Sequence, residues 1–261
     1  MEVSMGKDSL FMKKLALQGY SLIELMIALL LGSILLLGVM QVIIGSSTLG
    51  TTTSNLLSNQ DTAKSALDLL GGEARRAGYN GCLKAANGLL DIAGYNDEDR
   101  YALKPVKDSE GRIGIEFRYG IDENVGSVKG DLLTNKDCLN KPLHFRNMIY
   151  QNCVKAGGEQ GICVKGKSGA NTGNDLVDDI IEDIELKQIV FSYFDQSYNK
   201  YQTITFDNNH QNMSPDTLKK LQSAERVTFF VKALGRSTGA NKKSMTKVER
   251  DYSASYKLRN L

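Results

Sequence analysis

The sequence predicts an α+β fold, in which a long N-terminal helix crosses a membrane with its first half and packs on a mostly antiparallel β-sheet head with its second. Three observations predict it. Residues 22–44 form an apolar run interrupted only by Glu24, Gln41 and small residues. Behind it, Leu49, Thr53, Leu56, Gln60, Ala63, Leu67, Leu70, Ala74 and Ala77 recur at steps of four and three, which lays them along one helical stripe. Further on, several segments alternate apolar and polar residues with period two, as half-buried strands do.

The apolar run has two readings. A secretory signal has an apolar core of about 7 to 15 residues followed by a small-residue cleavage site. Gly45, Ser46 and Ser47 imitate such a site, but the run before them is too long. About 20 residues rising ~1.5 Å each cross the roughly 30 Å hydrocarbon core, so a membrane helix fits better. Lys7, Lys13 and Lys14 precede the run, and no Lys or Arg follows until Lys64. By the positive-inside rule the N-terminus stays cytoplasmic and the rest is exported.

The stripe that follows contains Thr, Gln and three alanines, which suits docking against a sheet better than a solitary coiled coil. Gly71 and Gly72 each cost about 1 kcal/mol relative to alanine inside a helix, so a kink or early fraying is expected there. Gly78 is placed to end the helix in a left-handed cap. In the head, Ile113, Ile115, Phe117 and Tyr119 alternate with polar or small residues, as do Val227, Phe229, Val231 and Ala233, and then Tyr252, Ala254, Tyr256 and Leu258. "QIVFSYF" and "YQTITF" add two strands, joined by a turn short enough for a hairpin. Ser214 followed by Pro215 marks the start of a short helix.

All four cysteines, Cys82, Cys138, Cys153 and Cys163, lie beyond the membrane run, as disulfides in an exported head would. Four cysteines allow three complete pairings. The expected one joins Cys153 to Cys163 around a local loop and Cys82 to Cys138 across the helix end. No C-x-x-C occurs and the two histidines, His144 and His210, are far apart, so no metal site is expected. The acidic block Asp175, Asp178, Asp179, Glu182, Asp183 and Glu185 lacks the EF-hand pattern and reads as a solvated loop and helix face; a cation held there would be Ca²⁺. Lys232, Arg236, Lys242, Lys243, Lys247, Arg250, Lys257 and Arg259 make the C-terminal part basic, within a chain of net charge +2. Phosphate contact needs only such charges, but aromatic residues are not interleaved with them, which argues against nucleic acid. No nucleophile elbow, zinc-protease motif or phosphate loop appears, so neither a catalytic residue nor a cofactor is expected.

A carboxylate in a membrane helix costs roughly 2.5 to 3.5 kcal/mol at mid-bilayer, which makes Glu24 a functional candidate. Gly19, Tyr20, Ser21, Leu22, Ile23 and Glu24, behind a short basic leader, resemble the type IV prepilin processing site. The resemblance implies that a prepilin peptidase cuts between Gly19 and Tyr20 and N-methylates Tyr20. It also implies that Glu24 meets the new amine of a neighbouring subunit during assembly. "RRAGYNGC" (75–82), the acidic segment leading into "QIVFSYFD", and the closing "YKLRNL" resemble the PilW-like minor pilins. That family implies a type IV pilin-like fold, divided into a leader (1–19), a transmembrane and polymerisation helix (20–45), an amphipathic helix (46–82) and a β-sheet head with inserted loops (83–261). It also implies an inner-membrane precursor with a periplasmic head that passes into the pilus. Its partners would be other minor pilins, the major pilin, the inner-membrane assembly platform and inner-membrane lipid. Its role would be priming or capping a fibre used in adhesion and twitching motility. A type II secretion pseudopilin and a DNA-uptake (competence) minor pilin share the leader and stand as alternatives.

Overall fold

The computed structural model describes residues 21–80, 83–84, 101–122, 133–136, 142–154, 158, 160–167, 176–209, 214–235 and 249–258. The chain divides into two compact units, Met1–Thr52 and Thr53–Leu261. Helix α1 (Leu22–Arg76) begins in the first and ends in the second.

In the first unit every residue of α1 up to Thr51 is exposed, leucines and isoleucines included. Its hydroxyls turn inward to the helix's own carbonyls: Ser33 Oγ donates to Leu30 O at 2.8 Å and Thr48 Oγ1 to Ile44 O at 2.9 Å. These bonds satisfy polar groups that an apolar medium would leave without a partner.

The second unit contains the rest of α1 and twelve described strands. β1 (Tyr79–Asn80) and β2 (Leu83–Lys84) form a small ribbon. β3 (Leu103–Lys107), β4 (Ile113–Asp122), β5 (Leu133–Lys136), β6 (Pro142–Val154), β7 (Gln160–Lys167) and β8 (Leu176–Glu182) form one sheet in the order β3-β4-β6-β7-β8, with β5 beside β6. β9 (Ile184–Asp195), β10 (Lys200–Asp207), β11 (Ala224–Leu234) and β12 (Glu249–Lys257) form another in the order β10-β9-β11-β12. All pairings are antiparallel. Between β10 and β11 lies α2 (Pro215–Leu221), started as expected by Ser214, whose Oγ accepts from Thr217 N.

The chain passes from one sheet to the other at a single residue, Asp183, which takes φ 58°. Its N–H donates to Gln160 O on β7 at 2.9 Å, and its carbonyl accepts from Leu234 N on β11 at 2.7 Å. Asp178, Asp179, Glu182 and Glu185 of the acidic block therefore lie on strands β8 and β9, with Asp183 at this corner, while Asp175 lies outside the described residues. The expected helix face is not present: Ile181 pairs with Ile162 on β7, and Ile184 and Leu186 pair with Ala233 and Val231 on β11, in strands that suit such apolar residues.

The core lies where α1 and the two sheets meet. Ile113, Ile115, Phe117, Val227, Phe229, Val231 and Ala233 are buried, as their alternation predicts. Phe229 sits edge-on to Phe117 at 6.4 Å and tilted against Tyr256 at 6.1 Å, which links β4, β11 and β12. The other face of β4 is buried too, contrary to simple alternation. Glu116 and Arg118 are 4% and 6% exposed, and Glu116 Oε1 accepts from Arg118 Nη2 at 2.7 Å and from Asn147 Nδ2. Burying that charge is tolerable because it is paired and hydrogen-bonded.

On α1 the buried positions are Asn59, Ala63, Ala66, Leu67, Leu70, Gly71, Glu73 and Ala74. The expected stripe holds from Ala63 onward; at its start Asn59 is buried in place of Gln60. The early fraying expected at Gly71 and Gly72 does not occur: the helix continues to Arg76, and Ala77 N donates to Glu73 O at 2.9 Å. Gly78 takes φ 77° and caps the helix as expected, while its N–H donates to Arg118 O.

Cys153 and Cys163 form a disulfide with Cα atoms 5.8 Å apart. In the β6–β7 register Cys153 faces Gly161 and Cys163 faces Gln151, so the bridge runs diagonally across the hairpin. Cys82 and Cys138 lie outside the described residues.

At the turn between β3 and β4, Asp108 Oδ1 accepts from the N–H groups of Glu110 and Arg112, and Oδ2 accepts from Arg112 Nε at 2.6 Å. Burial would raise the carboxyl pKa, but the Arg112 side chain and the two backbone donors outweigh it and hold it below the ordinary carboxylate value. A lowered native pKa contributes stability that is present above the ordinary carboxylate value and lost as pH falls through the native one. The stability gap between the parent and Asp108→Asn should therefore be open at neutral pH and closed in strong acid. Denaturant unfolding at the two pH values checks this; a gap that persists in acid would remove the ionic explanation.

Candidate assembly segment

The start of α1 gathers the residues singled out in the sequence. Ser21 precedes the first helical residue, and its carbonyl accepts from Glu24 N at 3.0 Å and Leu25 N at 3.2 Å. Glu24 thus occupies the third helical position, exposed, in a first turn whose unpaired N–H groups favour a negative charge. Ser21 and Glu24 have the spacing of a capping box, S-x-x-E, a signal present in the sequence that the prepilin-like reading of Glu24 passed over. Gly19 and Tyr20 lie outside the described residues.

Around and past Glu24 the helix offers an apolar surface broken up to Ile44 only by Gln41 and small residues. Leu22, Leu29, Leu35 and Val42 are each at least two-thirds exposed, and none of the membrane-length window is buried within the chain. Such a surface is stable only in lipid or against other apolar helices.

At the other end of α1, the contact with the head is made through Tyr256 of β12. A Cβ added to Gly71 would overlap the Tyr256 ring, whereas one added to Gly72 would meet nothing within 4 Å. The Arg75 guanidinium lies 5.4 Å from the centre of the same ring. Burial, with Asp68 nearby, raises the Tyr256 hydroxyl above its ordinary pKa despite Arg75. Gly71 thus permits a close helix–sheet approach. The two glycines should respond with opposite signs. Gly72→Ala should stabilise the protein by about 1 kcal/mol through helix propensity. Gly71→Ala should destabilise it by about 1 to 2 kcal/mol, because overpacking against a ring pinned by Phe229 exceeds that gain. Thermal unfolding of the two variants checks it; a shift of the same sign in both would refute the packing role.

The remaining sequence candidates do not converge. Lys232 Nζ pairs with Glu249, whose hydrogen bond raises the lysine pKa. Arg250 and Lys257 are exposed on β12, while Arg236, Lys242, Lys243, Lys247 and Arg259 lie outside the described residues. No group of three or more His, Cys, Asp or Glu side chains is arranged to hold a metal among the described residues. Sequence reasoning missed the buried Asn152, whose side chain holds β9, and the Glu116–Arg118 pair, because nothing local distinguishes either from surface polar residues.

Residues 17–40 match the prokaryotic N-terminal methylation motif. No curated protein and no solved structure matches the chain. The motif supports a type IV pilin-like or pseudopilin-like protein anchored by its apolar helix, processed by a prepilin peptidase and assembled with other pilins.

Proposed function

We propose that this chain is a minor pilin of a type IV pilus, PilW-like, which co-assembles with other minor pilins to prime or cap the fibre. The observation that carries the proposal is a methylation motif opening directly onto a helix whose apolar surface nothing among the described residues covers. Cleavage between Gly19 and Tyr20 leaves a methylated amine on Tyr20 one helical turn from Glu24. In the membrane the helix anchors an exported head; in the fibre the same surface packs against other subunits' helices, and Glu24 meets a neighbour's amine. Twitching motility and adhesion follow from the fibre. The work done is assembly, so the protein carries no active site. A type II secretion pseudopilin or a DNA-uptake minor pilin would use the same segment.

Intact-mass and N-terminal analysis of protein from sheared surface pili and from inner membranes tests the reading. The expected result is a chain beginning at N-methyl Tyr20, present at trace level in the sheared fraction. A processed chain confined to membranes would favour the pseudopilin, and an unprocessed Met1 would remove the pilin reading altogether.

A further inference from the structure

The sheet β10-β9-β11-β12 turns one face to the core, carrying Phe206, Phe191, Val227 and Tyr256. Its other face is outward, and the register sets the residues there in rows across the strands. One row runs Thr203, Ser192, Arg226 and Lys257, one residue from each strand. Arg226 and Lys257 are therefore direct cross-strand neighbours of like charge, an arrangement that destabilises a sheet. Both are exposed, and neither makes an ion pair among the described residues. Elsewhere on the same two strands the charges match: Lys232 faces Asp251 and pairs with Glu249. The fold balances charge at one end of β11 and leaves two cations together at the other.

Next to these cations lies an acid held in place. The β9–β11 register shifts between Ala224 and Arg226, so Glu225 is an extra residue in β11. Such a bulge re-aims side chains. Glu225 and Arg226 are consecutive and both exposed, flanked by the buried Ala224 and Val227. The Tyr201 ring reaches from β10 across β9, packs edge to face on Phe194 at 5.3 Å, and donates its hydroxyl to Glu225 Oε2 at 3.0 Å. That hydrogen bond raises the phenol pKa, and Arg226 lies close enough to oppose the rise. The two rings nevertheless stay open to solvent, Tyr201 62% and Phe194 37% exposed.

We propose that this end of the outward face binds an acidic polysaccharide, whose sugar rings carry carboxylates beside free hydroxyls. Arg226 and Lys257 take a carboxylate, which relieves the repulsion between them. Glu225 Oε1, with Oε2 held by Tyr201, accepts from a sugar hydroxyl, and the hydroxyls of Thr203 and Ser192 extend that polar contact. Tyr201 and Phe194 cover the apolar C–H face of a sugar ring, as aromatic side chains with one dry and one wet end do at binding surfaces. Nucleic acids also use cations and rings, but their evenly spaced phosphates would run over the Glu225 carboxylate, whereas a sugar offers that carboxylate a donor. From β10 to β12 the four strands span roughly 14 Å, the length of a short oligosaccharide.

The test uses the full chain in detergent micelles and a fluorescein-labelled oligogalacturonate, read by anisotropy. Binding is expected, weakened by at least on the order of tenfold in Arg226→Ala and in Lys257→Ala, since each loses a charge-assisted hydrogen bond. Tyr201→Phe keeps the ring but releases Glu225, and is expected to weaken binding severalfold. Arg226→Ala is expected to leave the unfolding midpoint unchanged or raised, because it removes the like-charge pair, and Lys219→Ala on α2 to bind as the parent does. No binding at millimolar oligosaccharide would overturn the proposal. So would equal binding of the methyl-esterified oligosaccharide, which keeps the rings and loses the charge, or of a labelled single-stranded oligonucleotide. Parent-like binding by Arg226→Ala would overturn it as well. None of these outcomes depends on processing at Gly19, so the minor-pilin reading stands or falls separately.

Discussion

Replacing Asn152 by leucine should cost about 3 to 5 kcal/mol, a large part of the 5 to 15 kcal/mol that typically holds a domain together. Asn152 is 7% exposed on β6, yet its amide serves the other sheet: Nδ2 donates to Leu186 O and Oδ1 accepts from Leu186 N, both at 2.7 Å. The reason lies in strand lengths. β10 pairs with β9 only as far as Gln188, so among the described residues Leu186, two residues beyond, has no strand on that side. On the other side the β9–β11 register shifts between Phe230 and Val231. The asparagine side chain, with one donor and one acceptor at amide spacing, takes the place of the missing strand. Leucine matches it in size but leaves a buried N–H and a buried C=O unpaired, at roughly 1 to 3 kcal/mol each. Asn152→Asp should also be harmful, since it sets a carboxylate oxygen against the Leu186 carbonyl. Urea unfolding would measure both; a loss below about 1 kcal/mol for leucine would mean that water reaches Leu186 and the bridge is dispensable.

The second large effect concerns assembly. Glu24→Leu removes a carboxylate that costs roughly 2.5 to 3.5 kcal/mol at mid-bilayer, so the variant should insert in the membrane at least as well as the parent. Its recovery in sheared pili should nevertheless fall by at least on the order of tenfold, since losing one partner of a desolvated ion pair is strongly destabilising. The position of Glu24 in the first turn requires a control, because the same loss could come from weakening the helix start. Glu24→Gln supplies it. Glutamine satisfies the capping position almost as well as glutamate but carries no charge. If the charge matters, Gln and Leu should fail alike. Normal incorporation of Glu24→Gln would reduce Glu24 to a helix cap and sink the ion-pair account.

The assembly segment was the most legible part of the molecule. Gly19, Tyr20 and Glu24 are recognisable from spacing along a few residues, and the motif at 17–40 is the same information in another form. Glu24 as an N-terminal helix acid was equally readable from Ser21 and was passed over in favour of its prepilin-like role. Gly71 was misread for the opposite reason. Propensity assigns a glycine in a helix a cost, and nothing in the neighbouring residues says that a tyrosine 185 positions later occupies the space a side chain would need.

What the sequence determined by itself is what repeats over short distances. The alternation of Phe117 and Phe229 with their neighbours placed them in the core, the run from Leu22 placed a membrane-length helix, and Ser214–Pro215 and Gly78 set helix ends. Each of these follows from the 3.6- or 2-residue period of a backbone, which adjacent residues reveal. What the tertiary structure decided is what depends on meeting a distant element: the Asp183 corner that puts most of the acidic block on strands, the Gly71–Tyr256 approach, the burial of Glu116 with Arg118, and the Asn152 bridge. An unpaired buried polar group or an overlapping ring is costly only once the other sheet has arrived, so these residues carry no mark until the chain has folded.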